Sequence, residues 1–127
     1  MPTLNIQYSI TGLGSAISKT KSVTDEGDIT LEVAVADGQT NKLVACELDV
    51  SQCKALVLFA SVAMTLKTNN SSTPADTIAL PAGIPLVYGG DAEETNPLGT
   101  DVTALYLTNS SGSDGTFQFK AIFDATV

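Results

Sequence analysis

Alternation of apolar and polar residues runs through much of this chain, and it constrains the fold more than any other feature. In the stretch "DITLEVAVA" an apolar residue falls on every second position, at Ile29, Leu31, Val33 and Val35. Successive side chains of a strand point to opposite faces, so this spacing is typical of a strand buried on one side. The same pattern recurs in "LNIQYSI", "KLVACELDV", "VTALYLTN" and "TFQFKAIFDA". The chain is therefore predicted to be built from antiparallel strands.

Short runs rich in Gly, Asn, Asp, Ser and Pro separate these strand-like runs, among them "DEGD", "ADGQTN", "NNSSTP", "LPAG" and "NSSGSDG". Such residues tolerate the dihedral angles of turns. We count about nine strand-like runs at the spacing expected for a sandwich or barrel. The prediction is an all-β fold, an antiparallel β-sandwich of jelly-roll type. The 127 residues are predicted to form a single domain, 1–127, since a chain of this length buries enough surface for one core.

The alternation also assigns faces. In "KLVACELDV" it places Val44, Cys46, Leu48 and Val50 inward. In "VTALYLTN" it places Val102 on the same face as Tyr106 and opposite Leu105.

One segment is ambiguous between helix and strand. "SQCKALVLFASVAM" fits a helical stripe as well as a strand buried on both faces, and periodicity alone does not decide. We predict a turn at Ser51–Lys54, a strand from Ala55, a tight corner, and a second strand through "MTLKTN". The polar run Asn69–Thr73 is predicted to be a connection, and Pro81–Gly83 to turn the next strand back as a hairpin.

The charge balance limits the partners. Six lysines stand against fourteen acidic residues, for a net charge of −8, and the lysines are scattered. Nucleic-acid binding favours arginine and clustered lysine, so nucleic acid is not an expected partner. The longest apolar run is too short to cross a membrane, and "MPTLNIQYS" lacks the pattern of a signal peptide. A neutral or basic protein surface would suit this chain better.

Catalytic motifs are weak. The chain has no histidine, the usual base for a serine or cysteine nucleophile. Ser51 and Lys54 have the Ser-x-x-Lys spacing, but they fall in a predicted turn. Acidic residues that could pair as in a glycosidase lack the aromatic lining that such clefts use. We predict no enzymatic activity, no catalytic residue and no cofactor.

Two acidic runs, Asp25–Asp28 and Asp91–Glu94, offer oxygen ligands without the spacing of an EF-hand. No metal site is predicted, although a site shared between the two loops stays open. Cys46 and Cys53 could form a disulfide, but their side chains are expected to diverge, so two buried free thiols are predicted.

A family resemblance enters through four segments in this order: "SQCKA" at Ser51–Ala55, "TNNSSTPADTI" at Thr68–Ile78, "GIPLVY" at Gly83–Tyr88 and "DVTALYLTNSSG" at Asp101–Gly112. They cover roughly the C-terminal two-thirds of the chain. Their order resembles small proteins of tailed bacteriophages that are encoded among the virion genes. Tyr88 stands where the family pattern has tryptophan.

The resemblance implies a structural virion protein, a head decoration (cement) protein on the capsid surface, made in the cytoplasm of the bacterial host. Its partner would be the major capsid protein or another virion protein. The alternative is a receptor- or carbohydrate-binding sandwich module of a phage tail or fibre. We predict shell contacts at Tyr88, Asn96, Pro97 and Leu98.

A homo-oligomer is also expected, with a trimer as the predicted state. The terminal runs "LNIQYSI" and "FQFKAIFDATV" carry few charges, so as sheet edges they would repel a partner strand poorly.

Overall fold

A computed structural model describes residues 1–89 and 95–125 of the chain. Within them the backbone is almost entirely β-structure, with one 3-10 turn at Val50–Gln52. The strands are β1 (Thr3–Ile10), β2 (Ile17–Thr24), β3 (Gly27–Val35), β4 (Lys42–Val44), β5 (Cys53–Ala60), β6 (Met64–Thr68), β7 (Thr77–Leu80), β8 (Leu86–Tyr88), β9 (Leu105–Thr108) and β10 (Gly115–Phe123). No helix in these residues has the length and hydrophobicity needed to cross a membrane.

Eight of the strands form two four-stranded sheets. Sheet I has the order β3-β10-β5-β8, and sheet II has the order β4-β9-β6-β7. The strand pairs β3–β10, β4–β9, β5–β8 and β6–β7 are all antiparallel. These are the pairs of one long hairpin, with its turn between β6 and β7, rolled up so that alternate pairs join the same sheet. This is the jelly-roll topology, and the predicted antiparallel sandwich is confirmed.

The core lies between the two sheets. Sheet I contributes Leu56, Leu58, Phe117 and Phe119, all fully buried. Sheet II contributes Leu66, Leu80, Leu105 and Leu107 to the same cluster. Every one of these residues occupies an alternate position of its strand, so the period of two in the sequence fills one interior.

The predicted faces of β3 and of the segment after β4 are confirmed. Val35, Val44, Cys46 and Leu48 are buried, and Ala45 and Glu47 are exposed. The other residues predicted to face inward are half-buried and pack against the core: Ile29, Leu31, Val33 and Val50. The ambiguous segment has the predicted order of turn, strand, corner and strand, but the turn lies at Val50–Gln52 and the strand already begins at Cys53.

Three expectations were wrong. Pro81–Gly83 does not turn β7 back into a hairpin; it carries the chain from sheet II to sheet I, and the Gly83 amide donates to the Ala60 carbonyl at 2.8 Å. The second expectation placed Val102 and Leu105 on opposite faces, but Val102, Leu105 and Leu107 are all buried. The irregular backbone at residues 103–104 shifts the alternation by one.

The third correction concerns the chain ends. β10 is not a sheet edge, because it lies between β3 and β5 in sheet I. The N-terminal run does not join either sheet. β1 pairs with β2 in a separate two-stranded hairpin, which we call the N-terminal hairpin.

Candidate interaction surface

The polar run after β6 is held by its own hydrogen bonds. The side-chain oxygen of Asn70 accepts from the backbone amides of Ser72 and Thr73, at 2.8 and 3.1 Å. Asn69, at a positive φ of 71°, uses its side-chain amide to donate to the Asp101 carbonyl at 2.8 Å. Side chains that bond nearby backbone in this way favour turns over strands. The predicted connection is confirmed.

A second set of bonds joins this loop to the chain around residue 99. The hydroxyl of Thr68, which is fully buried, accepts from the Asp76 amide at 2.9 Å. The Asp76 carboxylate in turn accepts from the Gly99 amide at 3.1 Å. These polar groups therefore stabilise one end of the sandwich.

Of the two residues with the Ser-x-x-Lys spacing, Ser51 takes part in the cap of the 3-10 turn, and Lys54 lies in β5. Asp49 is the N-cap of the 3-10 turn, and its Oδ1 accepts from the Ser51 amide at 3.0 Å and from the Ser51 hydroxyl at 2.6 Å. These two bonds lower the pKa of the Asp49 carboxyl. Because the Ser51 hydroxyl donates to a carboxylate, its geometry serves the turn.

The predicted pair of free thiols is confirmed, since Cys46 and Cys53 are both buried and unbridged. Burial raises the pKa of the Cys46 thiol to about 11, with a smaller contribution from the nearby negative charge of Glu47. Burial also raises the pKa of Cys53. Protonated, buried thiols are poor nucleophiles at neutral pH.

One acidic cluster differs from the two predicted candidates. Carboxylate oxygens of Asp25, Glu26 and Asp124 all lie within 4.8 Å of one another. Oxygen groups of this kind could hold a hard cation, but exposed acidic clusters are common without one. Asp28 is not part of the cluster, and Asp91–Glu94 lie outside the described residues.

The four residues predicted to contact the shell have different environments. Tyr88, Asn96 and Pro97 are half-buried. Tyr88 helps to line a surface cleft beside β2, together with Lys21, Val23 and Lys54. Leu98 is only 1% exposed and packs in the core, so this leucine is not presented to a partner. Contacts through the other three stay a prediction.

The N-terminal hairpin has two chemically distinct faces. Residues directly opposite each other in an antiparallel pair share a face, and the register pairs Leu4 with Val23, Ile6 with Lys21, Tyr8 with Lys19 and Ile10 with Ile17. We call this set the apolar–lysine face. The other face carries only Ser, Thr, Asn and Gln side chains, at Thr3, Asn5, Gln7, Ser9, Ser18, Thr20, Ser22 and Thr24.

The two ends of this hairpin differ in exposure. Ile6 is buried and β1 lies beside β10, whereas every residue from Gln7 to Thr20 is exposed. Ile10 and Ile17 are each 61% exposed, and Leu13 in the turn is 96% exposed. The outer half of the apolar–lysine face is therefore uncovered.

Sequence reasoning missed this surface. The alternation in "LNIQYSI" was recognised, but it was assigned to a strand of the sandwich. The matching alternation in "ISKTKSV", where lysines take the positions between serine and threonine, was the available signal.

The outer face of sheet I is also partly apolar. Val57, Phe59 and Val87 are half-buried and lie outside the cluster between the sheets. Val57 is paired with Val87 on one side and with Lys120 on the other. At the free edge, Asp28 and Glu32 are exposed on β3.

Comparison with protein-family models, with curated proteins and with solved structures finds no match for this chain.

Proposed function

We propose that this protein is a non-enzymatic structural protein of a tailed-phage virion, a decoration protein that binds the outside of the head shell. The observation that carries the proposal is the N-terminal hairpin, whose uncovered apolar–lysine face suits a protein that works by assembly with other subunits. Exposed apolar patches on soluble proteins mark interaction sites. The resemblance in the four sequence segments supplies the virion as the setting.

The polar groups of the sandwich support binding over catalysis. Asn69, Asn70, Ser51 and Asp49 all bond neighbouring backbone or each other. A surface depression of about 610 Å³ is lined by Met64, Leu80, Pro81, Leu86 and small residues, with no titratable side chain. Enzyme pockets combine apolar walls with convergent polar groups, and the only polar side chains that line this depression are the hydroxyls of Thr65 and Ser110.

Carbohydrate binding by a tail module is the alternative, and the aromatic residues favour it less. Sugar-binding surfaces use exposed aromatic rings. All seven aromatic residues lie in the described part of the chain. Tyr8 is 39% exposed, and the other six are buried or half-buried. A single ring beside a lysine makes a small platform for a sugar.

The test uses particles of the phage that encodes the chain. Gold-labelled antibody against this protein should decorate the heads of purified virions, and mass spectrometry should find the protein in them. Label on the tail tip would favour the receptor-binding alternative. Absence of the protein from purified particles would overturn both.

Heads from a phage deleted for the gene allow a second test. Added protein should bind them saturably, and Pro97→Asp should weaken binding more than Thr95→Asp, a matched change at an exposed neighbour. Binding as tight as that of the unchanged protein by both variants would remove residues 95–97 from the contact.

A further inference from the structure

Charge is segregated along this chain. Residues 1–24 contain Lys19 and Lys21 and no acidic residue, for a net charge of +2. Residues 25–127 contain four lysines and all fourteen acidic residues, for a net charge of −10, which together give the −8 of the whole chain. The N-terminal hairpin is therefore a basic segment attached to an acidic sandwich.

The outer half of the hairpin is also exposed and unsupported by the rest of the chain as described, residues 1–89 and 95–125. Tyr8, Ile10 and Ile17 lie exposed on the apolar–lysine face. A two-stranded hairpin alone is at best marginally stable in water and needs a packed face. The base has that packing, since Ile6, Ala55 and Ile122 are buried outside the main core cluster at the end of sheet I where β1 lies beside β10. The outer half has none.

The complementary surface is present on the same chain. The outer face of sheet I retains half-buried Val57, Phe59 and Val87, with exposed Asp28 and Glu32 on the edge strand. Gln118 and Lys120 of β10 lie between these apolar residues and the two carboxylates. Asp28 and Glu32 therefore form an acidic margin of this face, which the lysines of a hairpin could meet. β1 lies beside β10, and on this face Ala55 and Ile122 are buried at one end whereas Phe59 towards the other end is half-buried.

We propose that the exposed half of the apolar–lysine face binds the outer face of sheet I of a second copy of this chain. Packing of two hairpins against each other is disfavoured, because it would bring the Lys19 and Lys21 side chains of both copies together, and like charges in contact oppose association. Binding of a hairpin to the acidic sandwich of its neighbour instead brings opposite charges together, which favours association.

This contact joins two different surfaces, so each copy donates one hairpin and accepts another. Such head-to-tail contacts form closed rings when the rotation between copies is a simple fraction of a turn. A ring would cover every hairpin, and it is compatible with the expected trimer. This self-association would occur in the purified protein and does not depend on a place in a virion.

The first experiment compares neighbouring exposed positions on the two faces of the hairpin. Self-association of the full chain is measured by sedimentation equilibrium. Tyr8→Asp should weaken it about tenfold or more, as truncation of an aromatic anchor does. Ser9→Asp, one residue away on the polar face, should leave it nearly unchanged. A wild-type protein that stays monomeric at its solubility limit, or equal effects of the two variants, would overturn the proposal.

The second experiment exchanges charge between the two surfaces. Lys19→Glu and Glu32→Lys should each weaken association about tenfold at low salt, and the effect should shrink as salt is raised. The double variant K19E/E32K should recover association, because every reversed hairpin then meets a reversed sandwich. Both side chains are exposed, so circular dichroism should show all variants folded.

Failure of the double variant to recover would exclude this pairing of surfaces, and tighter association of Lys19→Glu alone would indicate hairpin-to-hairpin packing instead. Neither outcome bears on the presence of the protein in phage heads, which the particle experiments decide separately.

Discussion

Asn69 and Thr103 are joined through a single amide oxygen: Asn69 Oδ1 accepts from the Thr103 backbone amide at 2.7 Å and from its hydroxyl at 3.2 Å. The same side chain donates to the Asp101 carbonyl at 2.8 Å. One residue just after β6 therefore fixes the backbone that leads into β9. The positive φ of Asn69 aims the side chain there, and asparagine is among the few residues that adopt this conformation readily.

Two substitutions of Asn69 should distinguish the contribution of its side-chain hydrogen bonds to stability from that of its backbone conformation. Asn69→Gly keeps the positive φ and loses the three bonds, so the free energy of unfolding should fall by about 1–2 kcal/mol. Asn69→Ala loses the same bonds and adds left-handed strain, for about 1 kcal/mol more. Urea denaturation of both variants measures the difference. If alanine is tolerated as well as glycine, the backbone at this position is not strained.

Gly27 makes a close approach to an aromatic ring. Gly27 is paired with Phe123 across β3 and β10, and a Cβ at position 27 would overlap the Phe123 ring. Gly27→Ala should therefore lower the free energy of unfolding by about 1–3 kcal/mol, as overpacking does.

The control for this change is Gly27→Ala combined with Phe123→Leu. The smaller side chain gives room for the new methyl group, so the double variant should lose less stability than the sum of the single variants. Thermal unfolding checks the comparison, and strict additivity would show that the ring does not restrict position 27.

Leu98 supports the core from a loop. It is 1% exposed, whereas its neighbour Pro97 is half-buried. Leu98→Ala should lower the free energy of unfolding by about 2–5 kcal/mol, since it removes buried methyl groups and leaves a cavity. Pro97→Ala should cost much less. Equal losses in denaturant titrations would place Leu98 at the surface, where the sequence-based hypothesis put it.

Much of the fold could be predicted because burial on one face leaves a period of two in the sequence. This held for β3, for residues 44–48 and for β10, where Phe117, Phe119 and Ala121 are buried on alternate positions. It failed between Val102 and Leu105, where two residues are not in a strand. The bond from Asn69 to Thr103 holds that irregular backbone, and no local pattern reports a contact across 34 positions.

The sites were harder to predict than the strands. Leu98 lies in a segment without strand pattern, and loop segments are usually exposed; its burial depends on how the loop closes over the sandwich. Asn109 begins the turn-forming run "NSSGSDG", and such loop segments are usually exposed. Its side chain is instead buried and donates to the carbonyls of Val35 and Ser113 at 3.0 and 2.8 Å. Alternation in the hairpin was visible, but only the three-dimensional pairing separates it from the sandwich.

The buried thiols give a prediction about alkaline pH. In the folded protein the pKa of Cys46 is raised from 9.0 to about 11, and that of Cys53 is raised as well, so the unfolded chain loses these protons first. Their contribution to stability is complete below pH 9 and is lost as the pH rises through about 11. The free energy of unfolding should fall across this window, and C46A/C53A should flatten the fall.

Under native conditions at pH 8 a thiol reagent should react slowly, and after denaturation without reductant it should count two thiols. Fast reaction of the folded protein would show that the thiols are accessible, and a count of zero would show a disulfide.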